Sequence, residues 1–172
     1  MIKVVAKLVV ALNSNIKKGQ IAAGIAWGLL LSLIPAGNFF WIVLFLFSFF
    51  FNHHHGLKLG FMVLFKLLSP LYAPLLDLLG WGILHIDALQ PLFTSMYNMP
   101  FVPFTKFNNT LVAGGLVAGI ILFVPAYFLF LPLIRLYRDT LSPKIRNSKI
   151  VKAVTKFPFF SAIEKAISSM GK

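Results

Sequence analysis

Residues 20–51 read QIAAGIAWGLLLSLIPAGNFFWIVLFLFSFFF, a run of thirty-two residues without a formally charged side chain. Pro35, Ala36, Gly37 and Asn38 interrupt the run near its middle. A helix that crosses a membrane needs about 20 apolar residues, so this run is too long for one straight crossing. Each half, rising about 1.5 Å per residue, reaches only about 21 to 22 Å. The sequence therefore predicts a tight helical hairpin or a broken helix within a membrane.

The interruption has the residues of a tight turn. Pro35 presets its own φ angle, and Gly37 and Asn38 tolerate positive φ angles better than most residues do. We therefore favour a hairpin with two helical arms over a single bent helix. Arms of this length fit both a hairpin that reaches the far side of the membrane and a re-entrant hairpin that stops within it.

The composition is typical of a membrane protein. The chain is 59% hydrophobic and 12% charged, with a mean hydropathy of +0.87, whereas soluble domains have about 25% charged residues. It has no cysteine, which excludes disulfides and thiol nucleophiles. The net charge is +12, but the basic residues flank apolar segments, as they do beside anionic lipid. We therefore expect membrane lipids as partners and no nucleic acid.

Continuous apolar runs predict an all-α, polytopic integral membrane protein. We expect a transmembrane domain over residues 1–139 and a basic, amphipathic cytoplasmic tail over residues 140–172. Residues 1–13 are predicted to form a surface helix, and helical spacing in the tail predicts interfacial helices there too. The predicted membrane stretches are 20–34, 39–51, 57–84 and 108–134, with an outer loop over residues 85–106.

The distribution of positive charge predicts the orientation. Lysines precede the first membrane stretch, and arginines and lysines follow the last one, whereas the loop carries one lysine. Basic residues mark the cytoplasmic side, so we expect a multi-pass protein of the bacterial inner membrane with both termini in the cytoplasm. The residues expected to contact anionic lipid are Arg135, Arg138, Lys144, Arg146, Lys149, Lys152 and Lys156.

Small residues recur at four-residue spacing on two of the predicted helices. Such ridges let helix backbones approach closely in lipid. Two interpretations remain open: the ridges pack these two helices within the chain, or they form an interface with a partner. The residues are Gly24, Gly28 and Ser32 in the first stretch, and Gly115 and Gly119 in the last.

Lys66 and Asp77 are charged residues within a strongly apolar stretch. In one unbroken helix they would share a face about 16 Å apart, too far to pair. We expect Pro70 and Pro74 to break the helix between them, which allows a closer approach. One interpretation is a polar or lipid-binding site at this break, with Ser69. The other is that Lys66 reaches the cytoplasmic interface and Asp77 lies near the outer one.

The remaining polar residues do not form a recognisable catalytic motif. His53, His54 and His55 are adjacent on a predicted loop without a nearby acid, and we interpret them as a solvated interfacial loop rather than a metal site. The sequence has no Walker loop, no His-Glu-x-x-His motif and no Gly-x-Ser-x-Gly motif. With only four acidic residues in the chain, we expect no catalytic residue, no metal and no cofactor.

The first hairpin carries a family resemblance. Ile21-Ala22-Ala23-Gly24-Ile25-Ala26-Trp27-Gly28, followed by Pro35-Ala36-Gly37-Asn38, resembles a family of small polytopic inner-membrane proteins of bacteria whose function is not established. Members carry an Ile-Ala-x-Gly-x-Ala-x-Gly run and then a turn with proline and glycine. Ser69-Pro70 stands where the family often has Asn-Pro, so the match is looser there. The resemblance covers roughly residues 17–80.

The resemblance implies a partner. The long loop, the last span and the basic tail are similar to a sub-branch encoded beside a large envelope protein, which implies a membrane-anchored envelope partner that handles lipid. The leading hypothesis is therefore a non-enzymatic inner-membrane subunit that anchors or assists this partner in lipid transport between membranes. The alternative is a small transporter or channel-like protein with a polar site at Lys66, Ser69 and Asp77, and a membrane enzyme is a third hypothesis. The sequence leaves the oligomeric state undetermined.

Overall fold

The computed structural model describes residues 16–141, and these residues form helices and turns without a strand. The predicted all-α fold is confirmed for this part of the chain. The predicted helix over residues 1–13 and most of the tail, residues 142–172, lie outside the described residues. The α-helices are α1 Lys18–Leu33, α2 Phe39–Phe47, α3 His55–Leu67, α4 Ser69–Leu84, α5 Gln90–Tyr97 and α6 Thr110–Leu136. Short 3₁₀ helices cover Ser48–Phe50, Asp87–Leu89 and Val102–Thr105, and a π-helical turn covers Tyr137–Leu141.

A tight turn separates α1 from α2. Ile34 is extended, as expected for a residue that precedes a proline, and Gly37 has a φ angle of +90°. Asn38 caps α2, because its Oδ1 accepts a hydrogen bond from the Trp41 N–H at 2.7 Å. The Asn38 amide also donates to the Pro35 carbonyl at 2.7 Å. One side chain therefore closes the turn and starts the second helix.

The second arm of the hairpin runs back along the first. The Trp27 ring in the middle of α1 lies 6.5 Å from the Phe47 ring at the end of α2, measured between centroids. At the other end of the hairpin, the Trp41 ring N–H bonds to the Leu31 carbonyl at 2.9 Å. α1 and α2 are therefore antiparallel.

The third helix lies parallel to α1. The His54 N–H donates to the Gln20 carbonyl at 3.1 Å near the start of both helices, and Lys66 reaches Ser32 at their ends. The two backbones approach closely at Gly28, where an added Cβ would lie 2.8 Å from a backbone carbonyl of α3. Glycine is therefore the residue that allows α3 to pack directly on α1.

The last helix also packs against α1, in the opposite direction. Gly115 near the start of α6 lies against the backbone of Leu33 at the end of α1. Ile134 near the end of α6 joins a buried cluster with Ile21 at the start of α1. Most residues of α1 are buried, whereas none of α2 are. α1 is therefore the centre of the bundle.

The third predicted stretch is not a straight helix. α3 and α4 meet at an 83° bend at Leu68. Pro70 lies in the first turn of α4, where a missing N–H is tolerated, and Pro74 lies inside α4 without ending it. The prediction that both prolines break the helix is therefore wrong in position, because the break precedes them.

After the bend, α4 crosses the start of α6 through a contact between two glycines. A Cβ on Gly80 would overlap the carbonyl of Thr110, and a Cβ on Gly114 would overlap the carbonyl of Leu76. The two backbones are therefore in direct contact at this crossing, with no space for a side chain between them.

The predicted outer loop over residues 85–106 contains folded elements. Besides α5, it includes the 3₁₀ helix Val102–Thr105, which packs against α2. Phe101 and Lys106, on either side of that 3₁₀ helix, have positive φ angles of 68° and 54°, which are uncommon for residues with a Cβ. The loop is therefore a shaped segment that contacts the hairpin.

Length and composition identify one helical stretch of the described residues that can cross a membrane, Thr110–Asp139. The bent pair of α3 and α4 passes the same test if the pair is counted as one span. Lys18–Leu33 and Phe39–Phe50 are apolar but shorter. The chain divides into two compact units after Ile134, and helices α1 to α5 belong to the first.

The glycine crossing predicts how two matched substitutions differ. Gly114→Ala should lower the free energy of unfolding by about 1 to 3 kcal/mol, because the added methyl overpacks two backbones. Gly82→Ala, on the same α4 but with open space around the added Cβ, should be neutral or more stable by up to about 1 kcal/mol. Thermal unfolding in detergent measures both. Equal melting temperatures for the two variants would contradict the direct backbone contact between α4 and α6 at this crossing.

Candidate functional site

The carboxyl-terminal end of α1 needs hydrogen-bond donors from elsewhere. The last four carbonyl groups of an α-helix have no partner within it. α1 ends in an apolar environment, because Leu30, Leu31 and Ile34 belong to one buried cluster. A buried carbonyl left without a donor costs about 1 to 3 kcal/mol. Pro35 follows directly and has no N–H with which to help.

Side chains from other helices supply these donors. The Trp41 ring N–H of α2 donates to the Leu31 carbonyl at 2.9 Å. The Lys66 ammonium of α3 donates to the carbonyls of Ser32 and Ile34, at 3.0 Å in each case. We call Trp41, Lys66 and Tyr72 the α1 carbonyl cap.

Tyr72 adds α4 to the α1 carbonyl cap. Its hydroxyl lies 3.2 Å from the Ser32 carbonyl and 3.1 Å from the Phe65 carbonyl. Phe65 lies in the last turn of α3, so the hydroxyl shares its proton between the ends of two helices. The cap therefore joins α1 to the three helices that follow it.

Electrostatics favour a cation at this position. The carboxyl-terminal end of a helix carries a partial negative charge. Lys66 lies in the last turn of α3 and bonds to the end of the parallel α1, so its ammonium lies near two such ends. A lysine is accommodated here within an apolar stretch because helix carbonyls, rather than a carboxylate, surround its charge.

The structure places the other predicted polar residues around the bend. Ser69 opens α4 and Pro70 follows it. Asp77 is exposed on α4 and accepts a hydrogen bond from the Thr110 hydroxyl at the start of α6. Lys66 and Asp77 therefore bond to different helices, and their hydrogen bonds stabilise two separate joints of the fold.

The predicted small-residue ridges contact other helices of the same chain. Gly24 and Gly28 lie against α3, and Gly115 and Gly119 lie against α1. The Ser32 hydroxyl donates to a carbonyl one turn earlier in α1 at 2.6 Å. These contacts correspond to packing within the chain, the first of the two interpretations, although α1 meets α3 as well as α6.

Two of the residues expected to contact anionic lipid are described. Arg135 is exposed in the last turn of α6, and Arg138 belongs to the π-helical turn Tyr137–Leu141. The other five, Lys144, Arg146, Lys149, Lys152 and Lys156, lie outside the described residues. Contact with anionic lipid stays a prediction.

Lys58 is a second lysine in the apolar body, and sequence reasoning missed it. It is fully buried in the first turn of α3. Its ammonium donates to the Ser48 hydroxyl at 2.7 Å and lies 3.8 Å from the centre of the Phe49 ring and 4.8 Å from that of Phe45. A lysine enclosed by aromatic faces is held by cation–π attraction. The feature of the sequence that could have identified Lys58 is its position three residues after His55, at the start of an apolar stretch.

His53 lies buried beside this lysine, so the prediction of a solvated loop is wrong for His53. Its side chain is 7% exposed, and its ring stacks on Trp27 at 6.0 Å between centroids. Burial, with smaller effects from His55 and Lys58, lowers the pKa of His53 to about 4, while the Phe51 backbone opposes the shift. His53 is therefore neutral at pH 7.

A bacterial relative extends over nearly the full chain. An "uncharacterized protein" of Treponema pallidum (strain Nichols) is 36% identical over 158 residues, which cover 92% of this chain and 98% of the treponemal protein. The chain belongs to the family of that protein. No protein-family model matches it, and no solved structure matches it. The similarity concerns the whole fold rather than one motif, because it covers nearly all of both chains.

The α1 carbonyl cap predicts the effect of removing its lysine. Lys66→Met should lower the free energy of unfolding by about 2 kcal/mol, because two buried carbonyls lose a charged donor. Lys106→Met, which removes an equal charge from an exposed position, should change the free energy of unfolding by less than about 0.5 kcal/mol. Thermal unfolding in one detergent compares the two. If the variants unfold at the same temperature, Lys66 has no capping role.

Proposed function

We propose that the protein is a multi-pass protein of the bacterial inner membrane with both termini on the cytoplasmic side. Support comes from the Thr110–Asp139 stretch and from the bent α3–α4 pair. Large apolar side chains such as Leu71 and Leu75 of α4 are 77% and 68% exposed, which suits contact with lipid. α1 and α6 are antiparallel, and α1 and α3 are parallel, so this arrangement returns the chain to its starting side.

We propose further that α1 and α2 form a re-entrant hairpin. α1 has 16 residues and is about 24 Å long, shorter than the hydrocarbon core of about 30 Å. A helix that ended in water would have its last carbonyls solvated, whereas those of α1 bond to protein side chains. Backbone within the membrane must be satisfied in this internal way, so the α1 carbonyl cap supports a turn that stays below the outer surface.

Single cysteines test this topology, because the chain has none of its own. We expect an impermeant maleimide to label Asn98→Cys from outside intact cells and Lys17→Cys only from the cytoplasmic side. Ala36→Cys, at the hairpin turn, should be labelled from neither side until detergent is added. All three positions are exposed in the fold, so protection of Ala36→Cys reports the bilayer. Labelling of Ala36→Cys from outside would indicate a hairpin that spans.

The leading proposal for activity is a non-enzymatic subunit that anchors or assists a larger membrane-anchored envelope protein. The observation that carries it is the apolar surface of the predicted outer loop. Phe101 and Phe104 are 71% and 68% exposed, and Tyr97 and Met99 beside them are about half exposed. Phe101 is held in this position by a left-handed backbone conformation, and strain of this kind concentrates at functional sites. An exposed apolar patch at an aqueous face is typical of an interaction surface.

A role in lipid transport between membranes is the finer part of this proposal. An apolar groove of about 450 Å³ lies between α1, α3 and α6, lined by residues that include Leu29, Phe65 and Leu129. Its chemistry suits an acyl chain, and Phe65 adjoins Lys66. The resemblance of the first hairpin to the small polytopic inner-membrane family supports the same proposal, since a sub-branch of that family implies a lipid-handling partner.

The transporter or channel alternative has less support. It requires Lys66, Ser69 and Asp77 to act together on a ligand. The donors of Lys66 are directed at the carbonyls of α1, and Asp77 is bonded to Thr110. These bonds favour structural roles for both charges.

Photo-cross-linking in native membranes tests the partner. Benzoylphenylalanine in place of Phe101 or Phe104 should yield one discrete adduct of high mass with an envelope protein. The control is the same residue in place of Leu71, which we expect to face lipid and to give no protein adduct. Absence of an adduct at all three positions, with the protein folded and inserted, would remove the support for a subunit.

A further inference from the structure

The enclosed ammonium of Lys58 has no negative partner. Lys58 is fully buried, and its hydrogen bond goes to the neutral hydroxyl of Ser48 at 2.7 Å. Among the residues that the structure describes, no carboxylate contacts it. Buried charges in proteins are usually paired with an opposite charge, so the environment of Lys58 lacks the group that normally accompanies such a side chain.

Two histidines beside Lys58 have unused ring nitrogens. Both nitrogens of His53 and the Nδ1 of His55 are buried without a hydrogen bond of good geometry, although the Phe51 backbone lies close enough to His53 to oppose the lowering of its pKa. The His53 side chain is more than nine-tenths buried. The two imidazoles are 4.5 Å apart between centroids. Each unpaired group of this kind in a native structure calls for an explanation such as an unseen water or ion.

The Phe49 ring connects the histidines to the lysine. It stacks on the His55 ring at 4.8 Å and lies 3.8 Å from the Lys58 ammonium. Phe49 is 48% exposed, so its ring lies between the cluster and its surroundings. Lys58, Ser48, His53 and His55 therefore form one cluster, which we call the Lys58 enclosure. It is bounded by the rings of Trp27, Phe45 and Phe49.

The sign of the local field selects an anion over a metal cation. The enclosure lies at the first turn of α3, the positive end of that helix, where anions are favoured. Imidazole nitrogens are metal ligands in many proteins, but the Lys58 ammonium would repel a bound cation. An anion would neutralise the ammonium and accept hydrogen bonds from the imidazoles.

We propose that Lys58, His53 and His55 form a binding site for a phosphate group. A phosphate group has enough acceptor oxygens to reach the ammonium and one N–H of each imidazole together. The Ser48 hydroxyl donates to the Phe45 carbonyl at 2.6 Å and accepts from Lys58, so it positions the ammonium rather than the anion. The phosphate belongs to a lipid headgroup or to free phosphate. The headgroup source rests on the membrane arrangement proposed above, because the His54 N–H bonds to Gln20 at the start of α1, the end assigned to the cytoplasmic face. The phosphate chemistry itself does not depend on that arrangement.

The test uses the full chain in dodecyl maltoside, which has no phosphate, at constant ionic strength. The probes are inorganic phosphate, short-chain phosphatidylglycerol and the matching diacylglycerol, which has the same tails without the phosphate. The readouts are the melting temperature and the tryptophan fluorescence, to which Trp27, stacked on His53, contributes with Trp41 and Trp81. We expect phosphatidylglycerol to raise the melting temperature by several degrees, and diacylglycerol to leave it unchanged.

Variants assign the effect to the site. Lys58→Met should weaken phosphate binding at least tenfold, and His53→Phe should weaken it several-fold. Lys106→Met is the control, since it removes the same charge from an exposed position, and it should bind as the parent protein does. His53→Phe keeps an aromatic ring at the position that stacks on Trp27, so this variant still tests the site if Lys58→Met does not fold. If inorganic phosphate also binds, and the same variants weaken its binding, free phosphate is sufficient. If only phosphatidylglycerol binds, the site requires the lipid headgroup.

Two results would overturn the site. One is no response of the folded parent protein to either phosphate compound. The other is an equal response in Lys58→Met, His53→Phe and Lys106→Met, which would reflect general attraction to a chain of net charge +12. Cysteine labelling distinguishes failure of the phosphate site from failure of the membrane arrangement. If labelling shows the proposed topology but phosphate does not bind, only the phosphate site is contradicted.

Discussion

A helix that ends away from water must find donors for its last carbonyl groups within the protein, and α1 ends in this way. Its donors come from α2, α3 and α4, through Trp41, Lys66 and Tyr72. Each donor fixes the position of its own helix relative to the carboxyl-terminal end of α1. The return of the hairpin, the parallel course of α3 and the bend before α4 all bring a donor to the end of α1.

Close backbone contact is the second requirement of this arrangement. A lysine on α3 reaches two carbonyls of α1 only if the helices lie near each other along their length, and Gly28 removes the side chain that would hold them apart. The Gly80–Gly114 contact has the same effect where α4 crosses α6. These glycines bring the helices close enough for the α1 carbonyl cap to form.

Local chemistry made part of the fold predictable. The apolar runs and the turn at Pro35 to Asn38 are sequence-local, and the structure has helices on either side of that turn. The position of the bend at Leu68 was predicted wrongly because proline is tolerated in the first turn of a helix. A second reason is that Lys66 and Tyr72, on either side of the bend, bond to carbonyls of the distant α1. His53 was misread because a linear pattern does not show depth. Lys58 was missed for the same reason, although it lies between Leu57 and Leu59 just as Lys66 lies between Phe65 and Leu67.

The two lysines of the apolar helix α3 differ in a way that separates structure from binding. Lys66 donates to two carbonyl oxygens at the negative end of α1, so its charge is compensated by groups that the fold must satisfy anyway. Lys58 lies at the positive end of α3, with one hydroxyl and two ring faces as partners. The helix field opposes the charge of Lys58, and the unpaired imidazoles beside it also lack acceptors. An anion would neutralise the ammonium and accept one N–H from each imidazole, and this shared need makes the Lys58 enclosure a binding site in chemical terms while the α1 carbonyl cap is a structural joint.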